Sequence, residues 1–365
     1  MTLEEKIKEE IRRNGPISFE RFMEMALYLP GYGYYMKRKP VFGPQGDYYT
    51  ASHLGPIFGS AIALQMREFS ELLGQDRFTI VEAGAGTGLT ALHVLEYLRV
   101  HERELFDRTD YIIVELNPYL RNAQRQRLRG FKNVMCFERL EEVPMFSGAF
   151  FSNELFDALP VRIVEQRGGL KEILVDLWRD KFVEVYRDAP GEIVGYFQDL
   201  NILPEEGFRT EVNLRAKGLI HRISERMERG FVLTVDYGLS AKEYLCTERK
   251  AGTLLCYFRH TFHDDPYVRV GDQDITAHVN FSALKVFGER VSLRTIGYTP
   301  LCLYLLSCGI LKHHEETANL QEKLEMKTLL LPEGFGESHK VMVQYKGEGS
   351  PSLRGFSLKN MVCSL

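Results

Sequence analysis

Glu82-Ala83-Gly84-Ala85-Gly86-Thr87-Gly88 sets an acid two residues ahead of three glycines spaced by small residues. Glycines in that pattern let the chain turn sharply and let a ligand approach bare backbone. A second acid, Glu115, closes the next apolar run and can accept hydrogen bonds from both hydroxyls of a ribose. Asn153, Glu154 and Asp157 follow a third such run, and Asp236 a fourth. This pattern suits a nucleoside-type cofactor with carboxylates beside it. The dinucleotide fingerprint G-x-G-x-x-G fails, because Leu89 stands where its third glycine belongs, and no Walker lysine follows.

These residues need a frame that brings them to one place. Phe78–Val81 reads as a short buried strand, and the apolar pattern from Leu89 through Leu98 as a helix. Asp110–Val114, Asn133–Phe137, Gly148–Phe151 and Phe231–Val235 read as further strands, with a basic helix over Tyr119–Arg129. The order βαβα, insertion, αβ predicts a parallel, doubly wound α/β sheet with its ligand at the carboxyl ends of the strands. Asn153 and Glu154 then face the cofactor crevice. Asp157 falls on the same side of a helical turn as Glu154. The other reading of this stretch is a helix capped by Asn153, with Glu154 answering its dipole.

The rest of the chain reads as cover. Leu3, Ile7 and Ile11 share one face of a helix over 3–13. Residues 161–214 carry two alternating runs, one placing Ile173, Val175 and Leu177 on a common face, and predict an inserted β meander with Trp178 in its core. Glu211–Glu228 reads as a helix broken by Gly230. The aromatic, glycine-rich stretch 29–50, including Asp47, Tyr49 and Thr50, reads as a lid. Residues 252–281 hold Tyr257, His260, Asp274 and His278 among turn residues and read as loops lining a polar substrate cleft. They lack compact metal-ligand spacing, so no metal is expected. Val291–Thr295 and Lys340–Lys346 supply two more strands, with a helix near Leu301–Ser307. The expected organisation is an N-terminal cover (1–75), the cofactor half of the core (76–164), an inserted β-rich segment (165–214), the second half of the core with the 252–281 loop (215–350) and a tail (351–365).

Composition bounds the function. A chain of 365 residues, 44% hydrophobic and 26% charged, is ordinary for a soluble globular protein. A net charge of −4 offers no basic face to a nucleic acid. Six scattered cysteines without a C-x-x-C pair point to reduced thiols and a cytoplasmic setting. The charged N-terminus resembles neither a secretory signal nor a transit peptide. The longest apolar stretch, Tyr298 to Leu311, is too short to span a bilayer, so no membrane insertion is expected.

The acid-plus-glycines motif is similar to the first motif of class I S-adenosylmethionine (SAM) methyltransferases. Longer blocks carry a closer resemblance: GDYYTA (46–51), VEAGAGTG (81–88), SNELFDALPV (152–161), VDYG (235–238) and the GTLLCY to GDQDITAHVNF stretch (252–281). By these the chain resembles the MidA-type SAM-dependent methyltransferases, a family that includes a mitochondrial complex I assembly factor acting on a protein arginine. The sequence departs from the family at Ser52-His53-Leu54-Gly55 and at Pro300-Leu301, both in segments expected near substrate.

The resemblance implies a class I, Rossmann-like, mostly parallel sheet with N-terminal and inserted covering elements. It implies SAM as cofactor, near Glu82, Gly84, Ala85, Gly86, Gly88, Glu115, Leu116 and Asn153. It also implies a protein substrate methylated on arginine, with Glu154, Asn153, Asp157 and Asp236 as the catalytic candidates; a homodimer is possible within it. Two alternatives stand beside it: a SAM-binding assembly factor without turnover, and a small-molecule methyltransferase.

Overall fold

The computed structural model describes residues 1–37, 55–311 and 319–365. The chain divides into two compact units. One comprises Tyr49–Leu155, Ile220–Gly238 and Phe287–Leu365, the other Met1–Tyr48, Phe156–Leu219 and Leu239–Val286.

The first unit is built on a sheet whose strands we number β1 (Phe78–Ala83), β2 (Thr109–Val114), β3 (Val134–Phe137), β4 (Phe146–Asn153), β5 (Met227–Leu239), β6 (Arg294–Pro300) and β7 (His339–Lys346). Their spatial order is β3-β2-β1-β4-β5-β7-β6. The first five run parallel; β7 pairs antiparallel to β5, and β6 pairs antiparallel to β7 at the edge. β1 and β4 are neighbours although the chain leaves β1 toward β2, so the strand order reverses between them. That is where a doubly wound sheet opens a crevice for ligands. Phe150, Phe151, Val232 and Leu233 are fully buried, as expected of parallel strands covered on both faces. Helices Pro56–Leu73 and Leu89–His101 supply much of the core on one face, where Phe69 stacks on Phe231 with ring centres 4.1 Å apart.

β1, β4 and β5 approach one another over two glycines. A Cβ on Gly148 would stand 2.0 Å from the Thr79 carbonyl oxygen, and one on Gly230 would stand 2.0 Å from that of Gly148. Both glycines have φ of +152°, which side-chain-bearing residues rarely adopt. Gly230 pairs directly with Gly148 in the β4–β5 register. The helix expected to run to Glu228 ends at Arg226, and β5 has already begun at Met227.

In the second unit, strands 162–166, 170–178, 181–188 and 209–212 form the antiparallel meander, with Ile17–Ser18 on its edge. Its buried face, including Ile163, Ile173 and Val175, packs on Leu3, Ile7 and Ile11 of the helix Leu3–Asn14 and on Phe19 and Phe22 of the helix Phe19–Tyr28. Trp178 is not in that core. It is 59% exposed, at the mouth of the hairpin whose turn residues Arg179 and Asp180 both have positive φ. Such a two-residue turn carries the closing pair past the packed face, and Arg179 covers the indole instead. Among the described residues no helix is long and apolar enough to cross a membrane.

We expect Gly148→Ala to destabilise the protein by about 3 kcal/mol or more, because backbone strain and a carbonyl clash coincide. Gly130→Ala, an open position, should stay within about 0.5 kcal/mol of wild type in denaturant titrations.

Candidate active site

The glycine loop leaves β1 with Gly84, Gly86 and Gly88 all at positive φ. Space is tight as well as strained: a Cβ on Gly84 would meet Leu155 Cδ1 at 3.0 Å, and one on Gly88 would meet Gln124 Cγ at 3.2 Å. Two residues of the helix Pro118–Arg127 hold the loop from behind. Gln124 Nε2 donates to the Gly86 carbonyl at 2.8 Å, and Arg127 donates to that of Thr87. The sequence reading missed both. Their only signal was a polar pair one helical turn apart on the element after β2.

The acids differ in environment. Glu82 is buried on β1, and its Oε2 accepts a 2.7 Å hydrogen bond from the Tyr111 hydroxyl of β2. Burial pushes its pKa up to about 7, against the Tyr111 hydrogen bond, which favours the anion. Glu115 is half-buried at the end of β2, and its Oε1 accepts from the Asn117 amide at 2.8 Å. Burial likewise raises its pKa to about 7. Leu116 beside it is 46% exposed.

At the end of β4 the chain does not enter a helix. The Glu154 amide donates to the Val235 carbonyl at 2.9 Å, and Glu154 sits in the left-handed region with φ of 49°. The Leu155 amide donates to Asp236 Oδ2 at 3.1 Å, and the Tyr237 amide to Asp236 Oδ1 at 3.0 Å. Asp236 is thus fully buried and spends its carboxylate on backbone amides, positioning the 154–155 turn. Because both amides are drawn onto β5, neither of the expected helical readings holds: Asn153 caps no helix, and Glu154 and Asp157 do not share a helical face. Asp157 belongs to the second unit, where the 156–158 backbone is held by Asn213, Ala277 and Tyr28.

His339, which the sequence reading passed over, opens β7 opposite Tyr237, with Nε2 3.5 Å from Glu154 Oε1. A histidine starting an apolar strand was the only hint.

The expected substrate-side residues lie in the second unit or outside the description. Asp47, Tyr49 and Thr50 fall outside the described residues. Tyr257 and Asp274 are cross-strand partners in a small sheet. Asp274 is fully buried and accepts from the Tyr35 hydroxyl at 2.9 Å and from the Ile275 amide. His260 is exposed at a hairpin tip, and the His278 amide donates to Thr253 Oγ1. Leu301 is buried in the first unit's core, which accounts for its apolar character by packing. Among the described residues no cluster of His, Cys, Asp or Glu is arranged to hold a metal.

The donor set fits a nucleoside-bearing ligand. A strained glycine cradle stands at the switch point, and an acid closes the adjacent strand. Thr87 Oγ1, Ser152 Oγ and Asn153 Oδ1 are buried there without a hydrogen-bond partner among the described residues. Native interiors seldom leave polar atoms so.

A sheet of this order with this loop defines a SAM-dependent methyltransferase. Residues 61–299 match the S-adenosyl-L-methionine-dependent methyltransferase family, and the chain belongs to it; its cofactor is SAM. It is similar to the mitochondrial protein arginine methyltransferase NDUFAF7 homolog of Drosophila melanogaster, with 28% identity over 331 residues, 79% of this chain and 70% of that protein. The Xenopus laevis protein arginine methyltransferase NDUFAF7, mitochondrial, is 25% identical over 352 residues, 88% of this chain and 74% of that protein. A crystal structure from Burkholderia thailandensis, bound to S-adenosyl-homocysteine, matches with a TM-score of 0.91 and 31% identity over 100% of this chain and 96% of that one.

The relatives' names correct one expectation. They are mitochondrial proteins, so the cytoplasmic reading of the cysteines does not stand. Unpaired thiols argue against an oxidising compartment, but they do not distinguish one reducing compartment from another.

Glu82 supplies a pH test. Its carboxyl, raised from 4.5 to about 7, holds a proton in the folded state that the unfolded chain has released. Its contribution to stability is full below about pH 4.5 and is lost as pH rises through about 7. Glu82→Gln should therefore gain on wild type across that window, by up to about 1.4 kcal/mol per pH unit. Ligand-free thermal melts at pH 5 and 8 read this directly; parallel curves for both proteins would contradict it.

Proposed function

We propose that this methyltransferase acts on an arginine side chain of a protein, as its curated relatives do by name. The observation that carries the reading is Glu154: a half-buried residue held in a left-handed backbone conformation at the mouth of the crevice. Non-glycine residues in that region cost on the order of 1–3 kcal/mol and gather at functional sites.

SAM, when bound, supplies a methyl group on a sulfonium, open to in-line displacement. The protein's part is position and electrostatics. Gly84, Gly86 and Gly88 give backbone access, and Glu115 takes the ribose hydroxyls. Asn153 Oδ1 offers an acceptor beside them. A guanidinium is charged at neutral pH and offers no free lone pair. Glu154 accepts its N–H groups and draws positive charge away from the attacking nitrogen. Asp236 keeps Glu154 in place through the Leu155 amide. Asp157, Tyr257, His260, Asp274 and His278 are the substrate-side candidates of the second unit, where Asp274 accepts from Tyr35.

Two measurements test this reading. Glu115→Ala should lose about 1.5–3 kcal/mol of affinity for S-adenosyl-homocysteine by calorimetry, the value of a charge-assisted hydrogen bond. Glu154→Gln should keep that affinity while single-turnover methyl transfer to proteins of an enzyme-deleted extract falls about a hundredfold or more. Wild-type protein that binds S-adenosyl-homocysteine yet labels nothing from radiolabelled SAM would mark a binding factor without turnover.

A further inference from the structure

His339 is 4% exposed, and its Nε2 has no hydrogen-bond partner among the described residues. The ring is fixed on two sides, edge-on to Phe335 with centres 4.8 Å apart and to Tyr237 at 5.6 Å. The Ser338 hydroxyl lies 3.0 Å from Nδ1. The same hydroxyl stands 3.4 Å from the Gly334 carbonyl, a longer and weaker alternative. With Ser338 donating to Nδ1, the ring hydrogen resides on Nε2, the nitrogen 3.5 Å from Glu154 Oε1. The other tautomer would turn a lone pair toward a carboxylate.

A locked, buried donor set just beyond hydrogen-bond distance of a strained carboxylate is costly to maintain for packing alone. Leucine would fill the same space without the orphaned nitrogen. At 3.5 Å the imidazole attracts Glu154 Oε1 from the β7 side, while Asn153 Nδ2 donates to the same oxygen at 3.4 Å.

We propose that His339 is a positioning residue that holds the Glu154 carboxylate, through Nε2–H, in the orientation that receives the substrate guanidinium. This rests on the reading of Glu154 given above. Acceptors on β5, the Val235 carbonyl and the Asp236 carboxylate, fix where Glu154 stands, and His339 on β7 joins Asn153 Nδ2 in setting where its carboxylate points.

The test uses full-length protein, labelled SAM and proteins from an enzyme-deleted extract, with S-adenosyl-homocysteine calorimetry beside it. His339→Leu should leave ligand affinity within about twofold and slow single-turnover transfer by about ten- to a hundredfold. His339→Gln, whose amide reaches the Nε2 position, should recover transfer to within about threefold of wild type. In a Glu154→Gln background, His339→Leu should add almost no further loss, since a residue acting through Glu154 has nothing left to act on. A purely structural histidine would give equal losses for Leu and Gln, additive with Glu154→Gln, and that result overturns the inference. Wild-type transfer by His339→Leu with Glu154→Gln impaired overturns it too, while leaving the role of Glu154 intact. Wild-type transfer by Glu154→Gln overturns instead the reading of Glu154 on which the inference rests.

Discussion

The site depends on how the chain leaves β4. Two successive amides, those of Glu154 and Leu155, are captured by β5, one by the Val235 carbonyl and one by the Asp236 carboxylate. Capture by the neighbouring strand keeps the backbone in the sheet for one residue past its last ladder pair. It then forces Glu154 into the left-handed region. A helix here would have spent those amides on itself and turned the side chains of 154 and 157 to one side. Asp236 is buried and satisfied, so the turn is rigid. The strained residue it carries is held from outside rather than by its own preference.

That capture requires β5 to lie close against β4 and in register. The two glycines, Gly148 and Gly230, allow it, since any Cβ there would strike a neighbouring carbonyl. The glycine row at one end of the sheet and the acid row at the other are thus parts of one arrangement. Close approach at the start of the strands sets which residues stand side by side at their ends.

Several carboxyl groups gather at that end, and each is handled differently. Asp236 is stabilised by amides, Glu82 by a tyrosine hydroxyl, Glu115 by the amide of Asn117, and Glu154 stands beside an imidazole. Burial pushes Glu82 and Glu115 toward neutrality near pH 7, with the charge of Glu115 adding a smaller push on Glu82. The second unit uses paired charge for one buried acid and neutral donors for another. Its buried Glu172 is clamped by Arg162 and Arg187, and its buried Glu211 accepts from the Thr253 and Leu254 amides and from Thr253 and Tyr244.

The strand-forming runs, the glycine loop and the acids that close each strand were legible in the sequence, because they follow from short-range rules. A buried parallel strand must be apolar throughout, a tight strand-to-helix turn needs glycine, and the amphipathic helix 3–14 repeats every three to four residues. The chemistry of the cofactor was legible for the same reason, since its loop is contiguous. What the sequence left open were contacts made across strands. Whether 154–157 coils depended on amides claimed by β5, which lies far along the chain. Trp178 looked like core by its type, and the hairpin's turn geometry put it outside. Gln124 and His339 carry no local signature. Only strand order and register brought one beneath the glycine loop and the other to Glu154.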